Sequence, residues 1–140
     1  MDDKVKKAIY SAVEKEPFAK ALKMKLIDIN DGYSLVEMKY EAELMNNIYD
    51  RAHGGAIFAL IDEAFETASQ TDGTIAVALN INVTYAASPE NGAILKAEAK
   101  EIKRTKKTAI FEIKVFSQDK DLIATCQAVA YRTGKPIPFI

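Results

Sequence analysis

The residues with most chemistry to offer run in one stretch: Asn47-Ile48-Tyr49-Asp50-Arg51-Ala52-His53-Gly54-Gly55, then Ala56-Ile57-Phe58-Ala59-Leu60-Ile61-Asp62. Ile57, Leu60, Ile61, Ala64, Phe65 and Ala68 recur with the spacing of one helical face. No proline or glycine interrupts positions 56 to 72, so a long helix is expected to open at the paired glycines and to stop at Asp72-Gly73. The first amides of a helix have no partner inside it and lie at the positive end of its dipole. Gly54 and Gly55 carry no Cβ, so a ligand can approach the backbone there. A polarised carbonyl oxygen would find donors waiting for it, which is the electrostatic half of an acyl-transfer site.

Asp62, two turns into the helix, falls beside Phe58, Phe65 and Ser69 on the rim of the apolar stripe, with like-charged Glu66 one turn further on. A half-desolvated carboxylate with an anionic neighbour is a candidate nucleophile or general base. Glu63 and Gln70 are expected to face water or another subunit. Each residue also has a plainer reading: Gly54-Gly55 as a tight turn, His53 as a structural histidine, Asp62 as a surface acid. Spacing alone names no reaction. His53 is the only histidine, and no Cys/Asp spacing compensates, so a His-based metal cluster is excluded.

Three other features are weighed beside it. Cys126 stands among small residues without a motif and reads as a buried apolar cysteine. The run Lys103, Arg104, Lys106 and Lys107 is either a solvated turn or a phosphate contact. Asn80 and Asn82 sit in an alternating run and are read as its solvent face.

The elements that must position this junction follow from the rest of the chain. One hundred and forty residues suit a single domain, expected over 1–140, and 49% apolar with 28% charged residues is an ordinary globular composition. Nineteen basic and twenty acidic side chains leave a net charge of −1, without the field a nucleic-acid binder uses. The longest apolar run, Ala56 to Ile61, is far too short for a membrane span. The charged start Met-Asp-Asp-Lys-Val-Lys-Lys is not followed by the apolar core of a signal peptide. The single cysteine cannot form an intramolecular disulfide, and the expected compartment is the cytoplasm.

Val5, Ala8, Ile9, Ala12 and Val13 predict an N-terminal helix over about 3–16, closed by Pro17. Leu26 to Tyr40 reads as a hairpin turned at Asp31-Gly32, and 41–52 as a loop. After the long helix, Ile75, Val77, Leu79, Ile81, Val83 and Tyr85 alternate with smaller residues, placing all six on one strand face. Three more strands are expected at Ile94–Ile102, Thr108–Ser117 and Leu122–Arg132. A lone long helix must hide its apolar face, and a curved antiparallel sheet around it does so. The fold class is α+β.

The pattern Asn47-x5-His53-Gly54-Gly55-x6-Asp62 resembles the active-site signature of hotdog-fold acyl-CoA thioesterases of the phenylacetate-degradation (PaaI-like) type, in the 4-hydroxybenzoyl-CoA thioesterase superfamily. Asn82-Val83-Thr84-Tyr85 with Ser88-Pro89, and the turn at Lys107-Thr108, are similar to that family's third strand and to its turn near the coenzyme A tail. The likeness covers about residues 20 to 133. It implies Asp62 as nucleophile or general base, the Gly54 N–H (with Gly55 beside it) as oxyanion donor, His53 as organiser of the junction and Asn47 as orienter of substrate or water. It implies Lys107, with Arg104 second, against coenzyme A phosphates, and Phe58, Phe65 and Tyr49 around the acyl group.

Coenzyme A would be part of the substrate, with no metal or other cofactor. The resemblance further implies a homodimer with shared active sites, often paired into a dimer of dimers, and no nucleic-acid or membrane partner. The chain departs from the family twice: Asp50 replaces a usual glycine, and Ala78 stands where some relatives hold water with serine, leaving Ser69, Glu66 or Asn80 as substitutes. The other functions weighed are a hotdog dehydratase or hydratase and a non-catalytic acyl-CoA-binding module.

Overall fold

The computed structural model describes residues 1–140. Its order is α1 (Asp3–Lys15), α2 (Pro17–Ala21), β1 (Lys25–Asn30), β2 (Tyr33–Lys39), α3 (Ala42–Met45), α4 (Gly54–Ser69), β3 (Thr74–Tyr85), β4 (Ile94–Arg104), β5 (Thr108–Ser117) and β6 (Leu122–Pro136). All strand pairs are antiparallel, in the order β1-β2-β4-β5-β6-β3. No helix is long and apolar enough to cross a membrane.

The expected long helix is α4, which packs against all six strands. Leu60, Ile61, Ala64 and Ala68 on its inner face are fully buried. They meet a sheet face rich in alanine, including Ala97, Ala99, Ala124, Ala128 and Ala130, and small side chains let helix and sheet approach closely. Burying each Leu or Ile there contributes roughly 1.5–3 kcal/mol. Polar bonds then fix the helix lengthwise: Ser34 Oγ lies 2.6 Å from Thr67 Oγ1, and Gly32 N–H donates to Thr71 Oγ1 at 2.8 Å.

The N-terminal helix is capped by Asp2, whose carboxylate accepts from Lys4 and Val5 N–H, and it buries Val5, Ile9 and Val13 as the spacing predicts. Two short helices were not expected. Pro17 occupies the first turn of α2, where its missing N–H costs nothing, so it both ends α1 and starts the next helix. The predicted loop at 41–52 contains α3 and is closed by a bridge between Asn46 and Ala52.

The face assignment of β3 is corrected. Ala78 pairs with Ala130 but Asn80 pairs with Val129, so Leu79 is an extra residue in a bulge. One inserted residue reverses which side chains point inward. Ile81 and Val83 are half-buried, whereas Val77 and Leu79 are 47% and 61% exposed. β3 is an edge strand of twelve residues carrying these apolar side chains. The opposite edge, β1, has α1 packed on it, with Tyr10 donating to the Ile27 carbonyl.

Candidate active site

His53 is the N-cap of α4: its Nδ1 accepts the Gly55 N–H at 2.9 Å. The Gly55 donor is therefore occupied, and neutral His53 carries its proton on Nε2. The Gly54 N–H, ahead of the first helical hydrogen bond, has no partner in the chain. Of the paired glycines, only Gly54 offers a donor.

Tyr85, read from the sequence only as part of a strand, has a role at this junction. It donates its hydroxyl to the Gly54 carbonyl at 3.0 Å, and a Cβ on Gly54 would lie 3.1 Å from its ring. Gly54 and Tyr85 line a cleft of about 410 Å³ with Asn47, Arg51 and Ile57. Asn47 Oδ1 accepts from Tyr49 and Arg51 N–H, so the oxygen holds the loop and the side-chain amide is left to face a ligand. Asp50 adopts φ +55°, a conformation glycine reaches without strain. Aspartate tolerates this conformation better than most residues.

Asp62 is half-buried, and burial pushes its carboxyl above the usual aspartate range. Cys126 lies near it on the inner face of β6; burial, outweighing a backbone hydrogen bond from Asn82, pushes that thiol up to about 11, so it stays protonated at neutral pH. Glu66 is also raised, by burial first and then by Glu16 and Asp62. Of the three possible water-holding residues, Ser69 donates to the Glu66 carbonyl, and Asn80 lies on the sheet face turned away from α4. Only Glu66 stands beside Asp62. Asn80 and Asn82 are exposed, as expected.

Two residues are placed elsewhere than expected. Glu63 does not face water: it is 3% exposed beneath Glu16 at the elbow between α1 and α2. Burial, Glu16 and Glu66 push its carboxyl up to about 8. Phe65 is core, packed edge-on against Phe111 at 5.4 Å, whereas Phe58 is only partly covered.

The basic turn divides in two. Arg104 Nε donates to both Glu101 oxygens at 3.0 and 2.8 Å, and its other nitrogens meet Asp31 and Asp72, so its charge is already matched. Lys103, Lys106 and Lys107 are exposed, with the Lys107 ammonium 5.7 Å from the Tyr131 ring. The turn lies near Asp72, past the C-terminal end of α4 and far from Gly54.

One distance governs the whole arrangement. Eight residues separate Gly54 from Asp62, about 12 Å along the helix axis. A donor and an attacking group on one carbonyl stand roughly 7–8 Å apart at most. The chain does not bring the two together at one carbonyl.

The thioesterase superfamily model matches residues 49–124, which include the glycines, Asp62 and the first three residues of β6. The chain belongs to the thioesterase superfamily. Over 138 residues it is 33% identical to a protein of Archaeoglobus fulgidus named "Putative esterase", covering 99% of this chain and 87% of that one. It is 28% identical over 137 residues to the acyl-coenzyme A thioesterase PaaI of Escherichia coli, covering 98% of this chain and 97% of that one. The solved E. coli PaaI structure, from the phenylacetic acid degradation operon, superposes with a TM-score of 0.90 over 96% of each chain. The protein smu.793 of Streptococcus mutans, solved with acetyl-CoA, is 25% identical with a TM-score of 0.76 over 81% of this chain and 91% of that one. The fold of this superfamily member is the hotdog: α4 in a curved six-stranded antiparallel sheet.

Proposed function

We propose that this protein hydrolyses acyl-CoA thioesters to free acid and coenzyme A. The observation that carries the reading is the unpartnered Gly54 N–H opening the same helix that holds the half-buried Asp62 carboxyl, in a thioesterase-superfamily chain. Acyl-coenzyme A thioesterase PaaI, near full-length in its match, supports the substrate class, as does the acetyl-CoA held by the S. mutans relative.

Gly54 N–H donates to the thioester oxygen and stabilises the charge that grows there; one such donor is worth about 10²–10³ in rate. Asp62 attacks the carbonyl carbon to form an anhydride that water then hydrolyses, or takes a proton from a water that attacks directly; either route breaks the C–S bond and expels the coenzyme A thiolate. Asn47 turns its free amide toward the same cleft. Lys107, with Lys106 and Lys103, meets coenzyme A phosphates; Arg104 braces the turn rather than the ligand. The chemistry calls for no metal or organic cofactor.

The site is shared between two chains. The 12 Å gap along α4 is closed when Asp62 of one chain serves Gly54 of another, and the open apolar edge of β3 is where two sheets join into a homodimer. Two such dimers form a tetramer, and the protein acts in the cytoplasm. A hotdog dehydratase is not favoured, because it needs an imidazole over the substrate and His53 Nδ1 is engaged with Gly55.

Release of free thiol, followed across acyl-CoA chain lengths, tests the reaction. Hydrolysis with a preferred chain length is expected; binding without thiol release would make this an acyl-CoA-binding module. Mixing Asp62→Asn chains with Gly54→Ala chains should restore part of the activity each lacks, because one heterodimer site is intact. Failure to complement, or a monomer at micromolar concentration, would remove the shared site.

A further inference from the structure

A second cluster of ionisable groups lies on the face of α4 turned from the sheet. Glu16 at the α1–α2 elbow and Glu63 and Glu66 on α4 each present a carboxylate oxygen, and the three oxygens lie within 4.8 Å of one another. None of the eight ion pairs of the chain involves them. Glu63 is 3% exposed, and its Oε1 is sealed from solvent with no hydrogen-bond donor. A buried acceptor left without a donor costs about 1–3 kcal/mol, and more when ionised. Three carboxylates this close repel one another unless a positive charge sits among them.

We propose that Glu16, Glu63 and Glu66 bind one hard divalent cation of the calcium class, which ties the α1–α2 elbow to α4. Three oxygens no more than 4.8 Å apart share a centre within about 2.8 Å of each. Calcium–oxygen bonds of about 2.3–2.6 Å are then reached by small side-chain shifts, whereas magnesium demands about 2.1 Å in strict octahedral geometry. The cluster opens on a groove of about 370 Å³ lined by Lys15, Thr67, Gln70 and Phe139, with space for the waters that complete a coordination shell of six to eight. Ligand atoms from two separate elements make the ion a clasp between them.

The rival occupant is a proton. Burial and the neighbouring carboxylates hold one on Glu63 up to about pH 8. A metal ion must displace it, so binding tightens as pH rises. The groups facing Glu63 are Glu16, Glu66 and the residue before it, Asp62; Lys15 lines the groove without pairing to any of them. The site lies outside the Gly54 cleft and shares Glu66 with the surroundings of Asp62; ion binding is read by calorimetry, without reference to thioester hydrolysis.

The full-length protein, stripped with chelator, is titrated with calcium chloride by calorimetry at pH 6 and pH 8, and its melting is followed in parallel. One ion per chain is expected, at least tenfold tighter at pH 8, with a melting temperature that climbs with calcium concentration. Magnesium should bind more weakly. Glu63→Gln, which keeps the shape of the protonated acid, should lower affinity at least tenfold. Glu66→Gln, at a more exposed position, should do likewise and serves if the first variant does not fold. No heat and no melting shift at millimolar calcium and pH 8 would overturn the proposal in favour of the shared proton. Undiminished binding in both variants would overturn it by placing the ion elsewhere.

Discussion

The Tyr85 hydroxyl donates to the Gly54 carbonyl oxygen at 3.0 Å, joining the last residue of β3 to the first residue of α4 across 31 positions of sequence. The same ring would stand 3.1 Å from a Cβ at position 54, closer than such contacts normally come. Gly54→Ala must therefore move either Tyr85 or the start of the helix. The displacement needed is a few tenths of an ångström, enough to spoil the aim of a donor that must meet one oxygen. Gly54→Ala should lower kcat at least tenfold with little change in melting temperature. Tyr85→Phe keeps the ring and loses one half-exposed hydrogen bond, so it should cost no more than about 1 kcal/mol of stability and leave kcat within a few-fold. Steady-state kinetics and thermal melts on the pair check this; equal kinetic losses in both would shift the role from the glycine to the hydroxyl.

His53→Ala removes the side chain that caps Gly55 N–H. Loss of an N-cap typically costs about 0.5–2 kcal/mol. His53→Asn should recover most of the melting temperature, because a short side-chain oxygen can accept the same hydrogen. If the alanine variant melts like the parent, the cap contributes nothing and His53 must matter through its exposed Nε2.

Asp62→Asn keeps the shape of the side chain but removes both nucleophile and base, so turnover should fall by roughly 10²–10⁴. Its melting temperature should be unchanged or slightly higher, since repulsion with Glu66 disappears. Because burial raises this carboxyl above 3.8, the acid limb of kcat/KM should fall at a pH above that value. Near-normal turnover in the variant would pass the assignment to Glu66.

Glu63 makes stability depend on pH in the unusual direction for an acid. Its folded value of about 8 exceeds the ordinary 4.5. Between those values the folded chain keeps a proton that the unfolded chain has released, so stability falls as pH rises through this window. In chelator, denaturant titrations should show a loss of order a few kcal/mol from pH 5 to pH 8. Glu63→Gln should flatten that slope, matching the parent near pH 5 and exceeding it at pH 8. A parent that gains stability over the same range would mean that Glu63 is ionised in the fold.

The basic turn yields a contrast within three residues. Lys107→Ala should raise KM for acyl-CoA several-fold, leave short non-CoA thioesters unaffected and barely change the melting temperature, because Lys107 is exposed and makes no ion pair. Arg104→Ala releases Asp31, Asp72 and Glu101 together, so it should lower stability by about 1–2 kcal/mol and affect both substrate types alike. Selective loss of acyl-CoA binding in the Arg104 variant would reverse the two roles.

Much of this was legible in the chain because the signals are local. Helical spacing from Ile57 to Ala68, the glycines that open the helix and the strand runs divided by Asp-Gly and Asn-Gly turns depend on residues within a few positions of one another. They predict a long helix and an antiparallel sheet around it, and both are present. The short helices α2 and α3 escaped because four or five residues show too little of a period.

What only the tertiary structure decided are matters of which distant group arrives where. Periodicity sends Glu63 to the surface, but the α1–α2 elbow covers that surface and buries the carboxyl against Glu16, 47 positions earlier in the chain. Alternation puts Val77 and Leu79 on the inner face, but the register against β6 inserts a bulge at Leu79 and turns them out. Arg104 reads as a free cation among lysines until folding sets Asp31, Asp72 and Glu101 around it. Of two adjacent glycines, Gly54 alone keeps a free N–H, because His53 folds back onto Gly55 and not onto its neighbour. Sequence spacing determined which chemical groups the junction contains; long-range packing decided which are exposed, charged and unpartnered, because those properties depend on neighbours that the local sequence does not contain.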